Sequence, residues 1–503
     1  MNWTRRQLLQ AGATVAAGRA NASDSAIDVG ARKQLFIDRR FIRWSRGVTL
    51  AVNPPRKEGV VLEGTEPWEK ERIGAYLSVI EDGGMLKMWY MSFAGKGGGR
   101  LCYATSSDGI RWERPKLGIV DFAGSRDNNI VIASFREGAV MLDPVAPPRQ
   151  RFKTLASYGG KRPSGLGTNR NGSLMVMTSP DGIHWEQEYP VLPFHPDSMN
   201  TLFWDARTQK YAAYLRGWNP LRVVVKAEIP REQILRMWPY TPSSKPRYLW
   251  SFLTRNGEEW PPAISSELPT VLRCDELDPP GCDVYTPNVQ PYPWAEDVYL
   301  AFPTLFRHTA PPGSERVPMA GVLESQLAVS RDGAHFERPS RRSYLGRGLP
   351  GEADSHNVYV GLGFIRRGHE IYQYYSGGAG DHGASGAARS ALMRVSQRLD
   401  GFVSADADAQ GAELETPPIV FSGSSLRINI DTGAMGTARV ELRRPGGAAI
   451  PGYELRDCEA IIANDPAYPV RWRNIPSLAP LAGQPVVLRL ELSRARLFAF
   501  QFV

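Results

Sequence analysis

Acids recur at matching places along this chain, each at or a few residues ahead of the start of an apolar strand, and that placement suits acid–base chemistry by a pair of carboxyl groups. They are Glu66 and Glu69 in Thr65-Glu66-Pro67-Trp68-Glu69, Asp197 in Asp197-Ser198-Met199-Asn200, Asp283 in Asp283-Val284-Tyr285-Thr286, and Asp354 in Glu352-Ala353-Asp354-Ser355-His356. Where the pattern blurs, Glu137 is the nearest acid. A lone Asp ahead of a strand ordinarily caps a turn or sits solvated on a loop, so it is the shared register that singles these out. One carboxyl can protonate a leaving oxygen while a second attacks carbon or activates water. Asp197, Asp283 and Glu69 are the expected catalytic set.

Their neighbours suit binding. Glu66, Asn200, Tyr285 and Asp354 can hydrogen-bond a polyhydroxylated ligand, and Trp68 offers a flat face for stacking. Trp218 could stack too, although its place in a strand suits packing between sheets. Arg216 ends a core strand and could grip a hydroxyl or carboxylate bidentately, or equally neutralise the acids. Of the seven histidines, three fall near the acids: His308 at a strand end, His356 after Asp354, and His382 in the loop Gly377-Gly378-Ala379-Gly380-Asp381-His382-Gly383. No His-x-x-x-His or Glu-x-x-His pair occurs, so no zinc site and no cofactor are expected. Calcium among the carboxylates is compatible with this acid set, but no loop motif calls for it.

The elements that must position these residues announce themselves by repetition. Thr105-Ser106-Ser107-Asp108-Gly109-Ile110-Arg111-Trp112 recurs as Thr178-Ser179-Pro180-Asp181-Gly182-Ile183-His184-Trp185, as Ser330-Arg331-Asp332-Gly333-Ala334-His335-Phe336, and weakly as Leu399-Asp400-Gly401-Phe402. Each copy ends an alternating strand: Leu101 to Ala104, Leu174 to Met177, Gln326 to Val329 and Ala391 to Val395. Aromatic-rich strands precede them, at Leu86 to Phe93, Phe152 to Tyr158, Tyr211 to Trp218, Val298 to Phe306 and Ile371 to Tyr375. The turn aspartates are expected to hold tight hairpins, because repetition follows the fold and not a unique site.

Spacings of 73 and 151 residues between the first three copies leave room for one degenerate unit. Leu221 to Ala227 is its third strand in preference to the turn at Thr254 to Trp260, which makes 231–272 an insertion with a short helix, Arg231 to Trp238. Five four-stranded sheets at this period describe an all-β, five-bladed β-propeller over 23–404. After Asp400 the repeat stops, 405–411 reads as a linker, and short alternating strands to Phe502 read as a β-sandwich, giving a second domain over 405–503.

Composition agrees. The 49 Gly and 40 Pro suit many turns, and four cysteines in 503 residues are no disulfide framework. Cys274 and Cys282 could form a local disulfide or a pair of buried thiols. Residues 1–22 hold Arg5, Arg6 and Arg19, a small apolar run and Ala20-Asn21-Ala22, the pattern of a twin-arginine signal peptide, which predicts a periplasmic or secreted protein. The net charge of +8 drops to +5 without that segment, too little to argue for nucleic acid. No apolar stretch approaches the ~18 residues of a membrane helix, so no membrane insertion is expected.

With the blades, the leader and the trailing strands in view, the chain resembles the five-bladed propeller glycosidases of glycoside hydrolase families 32 and 43. It is most similar to bacterial proteins described by a family 32 N-terminal domain, over residues ~30 to 503, including Pro451-Gly452-Tyr453-Glu454-Leu455-Arg456-Asp457-Cys458. That resemblance implies carboxylates from several innermost strands converging at one end of the propeller axis, and hydrolysis of a glycosidic bond in an oligo- or polysaccharide. Trp-Met-Asn-Asp-Pro-Asn-Gly, Arg-Asp-Pro and Glu-Cys are absent, so fructoside specificity does not carry over. Two other readings stand beside it: a non-catalytic glycan-binding propeller, and a sialidase-like enzyme suggested by the Asp-box-like turns, for which three clustered arginines and a Tyr-Glu pair cannot be assembled.

Overall fold

Alternating strands closed by Asp-Gly turns do build blades. The computed structural model describes residues 25–503 apart from 96–97, 136, 159–172, 193–195, 236–267, 310–319 and 383–387, so the expected signal peptide lies outside the described residues. Blade 1 runs Arg72–Asp82, Met85–Phe93, Gly99–Ser106, Ile130–Ile132; blade 2 runs Val140–Leu142, Phe152–Tyr158, Ser173–Ser179, Glu186–Leu192. Blade 3 runs Thr201–Asp205, Lys210–Trp218, Arg222–Ile229, Thr270–Leu272. Blade 4 splits into an inner sheet (Asp283–Thr286, Thr304–His308, Gly321–Ser325) and an outer one (Val289–Pro291, Tyr299–Ala301, Ala328–Ser330). Pro287 and Pro303 lie at that break, where a ladder that needs an N–H cannot continue.

Blade 5 runs Asn357–Val360, Glu370–Gly378, Ser390–Arg398, and its fourth strand is Arg56–Glu63 from the chain's beginning, antiparallel to Ser390–Arg398. Packing between consecutive blades closes the ring. The second and third strands of blades 1, 2, 3 and 5 fall where the sequence places them, but in blade 4 the expected strand Val298 to Phe306 breaks into Tyr299–Ala301 and Thr304–His308, and Gln326 to Val329 straddles the gap between Gly321–Ser325 and Ala328–Ser330. The insertion differs: its helix is Arg231–Leu235, and Thr270–Leu272 returns as the outer strand of blade 3, so the end of 231–272 belongs to the blade. The rest of that helix and the competing turn at 254–260 lie outside the described residues.

The repeated turn is a staple between blades. Asp108 Oδ1 accepts from Ile110 and Arg111 N–H at 2.7 and 2.9 Å, and Ser106 Oγ accepts from Gly109 N–H at 2.8 Å. Asp181 and Asp332 repeat the pattern. The glycine carbonyl of each turn then accepts from an aromatic on the second strand of the preceding blade: Tyr374 Oη to Gly109, Trp89 Nε1 to Gly182, Tyr214 Oη to Gly333, at 2.8, 2.6 and 2.6 Å. Glycine is required there twice over. Its φ is +77, +81 and +68°, and a Cβ would lie 2.5, 2.3 and 2.7 Å from those same three aromatic side chains. The aspartates are structural, but the tight hairpin expected at each is a wider loop, since Thr105 pairs with Glu113.

The second domain is a two-sheet sandwich over one core. One sheet orders Asn464–Pro469, Leu426–Asp431, Ala495–Phe502, Val403–Ala407 and Val48–Val52, with Gln34–Leu35 also paired to Ala495–Phe502. The other orders Trp44–Arg46, Ala412–Glu415, Val487–Ser493 and Thr437–Arg443. Ile27–Gly30 pairs parallel with Ile419–Phe421. Two boundaries therefore move. Residues 27–52 belong to the sandwich and not to a propeller beginning at 23, and the expected linker at 405–411 opens with the end of the strand Val403–Ala407. Leu35, Ile37, Val403 and Ala499 share a core with Phe302, Tyr344 and Tyr375 of blades 4 and 5, so the two domains pack through one apolar seam.

Cys274 and Cys282 face each other as thiols, Sγ to Sγ 2.8 Å. Their mutual contact and burial push the Cys274 thiol far up.

Candidate functional site

A cavity of about 290 Å³ opens where the innermost strands begin, and all five blades reach it. Arg72 and Tyr76 come from blade 1, Glu137 from the approach to blade 2, Asp197 from the approach to blade 3, Tyr285 from blade 4, and Tyr359 and His382 from blade 5; Met91 and Phe93 add apolar wall. Three of these approaches are wound left-handed without glycine: Ala75 at φ 75°, Glu137 at 57°, Asp197 at 52°. Such conformations cost roughly 1–2 kcal/mol each, and they turn the chain so that consecutive inner strands present side chains to the axis. At Ala75 the strand bulges between Ile73 and Leu77, its N–H donates to Ser376 Oγ at 2.8 Å, and Gly74 at φ +98° lets blade 5 come that close.

Asp197 is held from behind by a guanidinium. Arg216, 1% exposed, donates Nη1 to Asp197 Oδ2 at 2.9 Å and spends Nε and Nη2 on the Tyr285 carbonyl at 3.1 and 2.8 Å. Ser198 Oγ donates to the same carbonyl at 2.8 Å. The whole Arg216 fork is thus committed, and its expected role as a direct ligand gives way to fixing Asp197 and Tyr285. Asn200 is buried and donates Nδ2 to the Glu137 carbonyl at 3.3 Å, so it too positions an acid instead of lining the cavity.

His382 packs its ring 4.6 Å from Tyr285 and 5.0 Å from Phe306, with Nδ1 3.4 Å from Tyr359 Oη. Burial, then the charges of Arg216, Arg222 and Arg72, lower its pKa to about 4. A neutral imidazole therefore faces the cavity near neutral pH, with its Nε2 buried and given no hydrogen-bond partner among the described residues. Burial likewise keeps the Tyr76 and Tyr359 phenols protonated, as donors.

Asp283 lies behind this wall, not in it. Its carboxylate is fully buried, paired with Arg222 Nη1 at 2.8 Å and His308 Nε2 at 3.3 Å, and Arg222 stacks on Trp218 at 4.7 Å. A register irregularity between Val284 and Thr286 leaves Tyr285 facing the cavity while Asp283 is paired with Arg222 of blade 3, which removes Asp283 from the catalytic set, and with it His308 and Trp218 from substrate contact.

Glu69 is further away still. It accepts from Tyr90 Oη at 2.7 Å and Arg114 Nη2 at 3.0 Å, and from the Glu66 N–H at 3.3 Å, in the core at the edge of blade 1. Trp68 is buried there and donates Nε1 to Asn129 at 2.9 Å, so neither it nor Glu66 reaches a ligand at the axis. Pro67 starts a single 3-10 turn that folds these residues inward. Asp354 is buried between Lys57 Nζ at 2.7 Å and Tyr375 Oη at 2.9 Å, locking the closing strand to blade 5. His356 is bonded to Ser355 and lies 3.9 Å from Asp381, outside the cavity wall.

Of the expected residues, then, Asp197, Tyr285 and His382 meet. Arg72, Tyr76, Tyr359 and Glu137 join them, and of these only Glu137 had a signal, its place in the register of acids. A larger groove of about 920 Å³ lies at the opposite ends of the blade 3 and 4 strands, beside Trp204 and Trp294. Its acids are matched by cations, Glu296 with Arg32, Asp297 with Arg40, Asp205 with Arg207, which suits a surface and not a reaction. Among the described residues no three His, Cys, Asp or Glu cluster as a metal site, and no described helix is long and apolar enough to cross a membrane.

No family model matches the chain, and no curated protein matches it in sequence. Solved structures do resemble it. An N-acetylgalactosamine deacetylase from F. plautii in complex with blood group B trisaccharide is 12% identical, with 70% of this chain and 96% of that one covered and a TM-score of 0.44. A glycoside hydrolase family 43 arabinoxylan arabinofuranohydrolase from Bacillus subtilis in complex with cellotetraose is 11% identical over 88% and 99%, TM-score 0.34. An α-L-arabinofuranosidase from Podospora anserina in complex with cellotriose is 11% identical over 75% and 99%, TM-score 0.38. At these identities the likeness is one of fold.

Proposed function

We propose that this protein hydrolyses a glycosidic bond in an oligo- or polysaccharide, with Glu137 and Asp197 as its two working carboxyl groups. The observation that carries the reading is their convergence: acids from the approaches to neighbouring blades, each in a strained left-handed backbone, share one cavity with three tyrosines, an imidazole and an arginine. Strain kept at two acids of one pocket is a mark of function.

The roles follow from the surroundings. Arg216 pairs with the carboxylate form of Asp197, the form needed to attack the anomeric carbon or take a proton from water. Glu137 is then the proton donor to the leaving oxygen. The faces of Tyr76, Tyr285 and Tyr359 seat the apolar side of a sugar ring, and the neutral His382 ring packs against Tyr285 and Tyr359 to hold them. Carboxyl separation decides the stereochemistry, roughly 5 Å for retention and 6.5–9.5 Å for inversion.

The test is a screen on chromogenic glycosides, followed by Glu137→Gln and Asp197→Asn on any substrate found. Each is expected to lower kcat by about 10²–10⁴ with sugar binding and fold retained, whereas Asp283→Asn and Glu69→Gln change stability first. Binding that survives in a protein with no turnover on any glycoside would favour the glycan-binding reading instead. We further propose that residues 1–22 export the folded chain. Periplasmic fractionation should find it outside the cytoplasm, and Arg5→Lys with Arg6→Lys should retain it inside.

A further inference from the structure

The outer strand of blade 3, Thr270–Leu272, passes to the inner strand of blade 4, Asp283–Thr286, through residues 273–282, and this link carries a cysteine near each end. The sulfurs of Cys274 and Cys282 are in contact at 2.8 Å, in the same apolar cluster as Leu272 and Val284 of the two strands. Cys282 is buried and Cys274 half-buried, so an outside reagent reaches the pair at Cys274. The other two cysteines lie elsewhere, Cys102 buried in blade 1 and Cys458 in the sandwich core.

The link is held from within and from outside. Asp278 N–H donates to the Asp275 carbonyl at 3.0 Å and Cys282 N–H to the Pro279 carbonyl at 3.1 Å, so two successive turns bring its ends together. Two guanidinium forks from the segment after the Asp332 turn of blade 4 then grip its acids. Arg341 donates Nη1 and Nη2 to Asp275 at 2.9 and 2.8 Å, and Arg338 donates Nη1 and Nη2 to Asp278 at 2.8 and 2.5 Å. Paired bonds of this kind fix geometry as well as adding energy. The thiols are therefore adjacent because of the link's own turns and anchors, and joining them needs no refolding.

We infer that Cys274 and Cys282 are an oxidation site: thiol–disulfide exchange with a disulfide-bearing oxidant joins them in one intramolecular disulfide that closes the link between blades 3 and 4. One cysteine thiolate attacks a sulfur of the oxidant and expels the other; the second cysteine thiolate then attacks the first cysteine's sulfur and expels the oxidant's remaining one. Two cysteine thiols give up two electrons and two protons, and the oxidant disulfide takes both to become two thiols. Contact with Cys282, then burial, push the Cys274 thiol up, so exchange is slow at neutral pH and quickens as pH rises. The inference stands apart from the glycosidase reading. It takes only its setting from the export reading, because a chain that leaves the cytoplasm already folded carries the pair, preassembled, into an oxidising compartment.

The test takes the full chain, reduced, and holds it with oxidised glutathione at about pH 8.5, near the ordinary cysteine pKa. The thiol titre in denaturant is expected to fall from four to two, and peptide mapping by mass spectrometry to find Cys274 joined to Cys282 with Cys102 and Cys458 free. The melting temperature should rise by about 2–3 °C, the effect of closing a short loop in a chain of this length, and return on adding dithiothreitol. Cys274→Ser combined with Cys282→Ser should melt alike with and without the oxidant. A wild-type titre that stays at four, glutathione retained on Cys274 as a mixed disulfide, or a cross-link to Cys102, Cys458 or a second chain would overturn the inference and leave the glycosidase reading intact. Closure by glutathione together with a reduced pair in the chain recovered from cells would support the inference and count against the export reading.

Discussion

Removing one partner of a buried ion pair is the sharpest probe of how single residues hold this cavity. Asp197→Ala leaves the Arg216 guanidinium buried without its counter-charge, and we expect a loss of about 3 kcal/mol in urea unfolding, separable from the catalytic loss that Asp197→Asn isolates. His382 supplies a second test. Its folded pKa of about 4 lies below the ordinary 6.5, so between those values the unfolded chain binds more protons. Stability should therefore fall as pH drops from 6.5 toward 4, and His382→Gln should flatten that part of a thermal-melt series; a series identical to the wild type would contradict the assignment. At this scale Asp197, Tyr285 and His382 line the cavity and Glu69 and Asp283 do not. The three acids all stand near strand starts, but an acid's direction depends on a bulge or a 3-10 turn. A one-residue step sends the side chain to the other face of the sheet.

The Asp-Gly staple is the unit that makes a blade dock on its neighbour. Gly182→Ala must pay for a left-handed alanine and also push its Cβ against Trp89, 2.3 Å away, whereas Gly83→Ala, at φ +63° with open space around it, bears only the first cost. We expect the first to lose more than about 2 kcal/mol and the second about 1 kcal/mol, read from urea midpoints. Asp181→Asn should leave kcat unchanged if the turn is structural. The repeat was legible because periodic hydrophobicity and turn chemistry are local signals, and they gave the order of blades correctly. The break in blade 4 was written in Pro287 and Pro303 but was masked by an otherwise continuous apolar run. The left-handed backbone at Ala75, Glu137 and Asp197 had no signal at all, because it is imposed by how neighbouring blades meet.

Closure of the whole molecule depends on its first strands. Arg56–Glu63 completes blade 5, while Gln34–Leu35, Trp44–Arg46 and Val48–Val52 complete both sheets of the sandwich. Pairings this distant in sequence left only an apolar final strand as a clue, which is why the domain boundary was drawn at 405. A fragment of residues 405–503 should accordingly lack near-UV circular dichroism and a cooperative melt, and a sharp transition in it would show the sandwich to be self-sufficient. The central claim, that Glu137 and Asp197 flank one glycosidic bond at the propeller axis, is tested most directly by a crystal structure of the Glu137→Gln protein holding an uncleaved oligosaccharide. The account predicts the scissile oxygen within hydrogen-bond reach of residue 137, with the anomeric carbon facing Asp197. A sugar seated only in the groove beside Trp204 and Trp294, with the axial cavity empty, would contradict it.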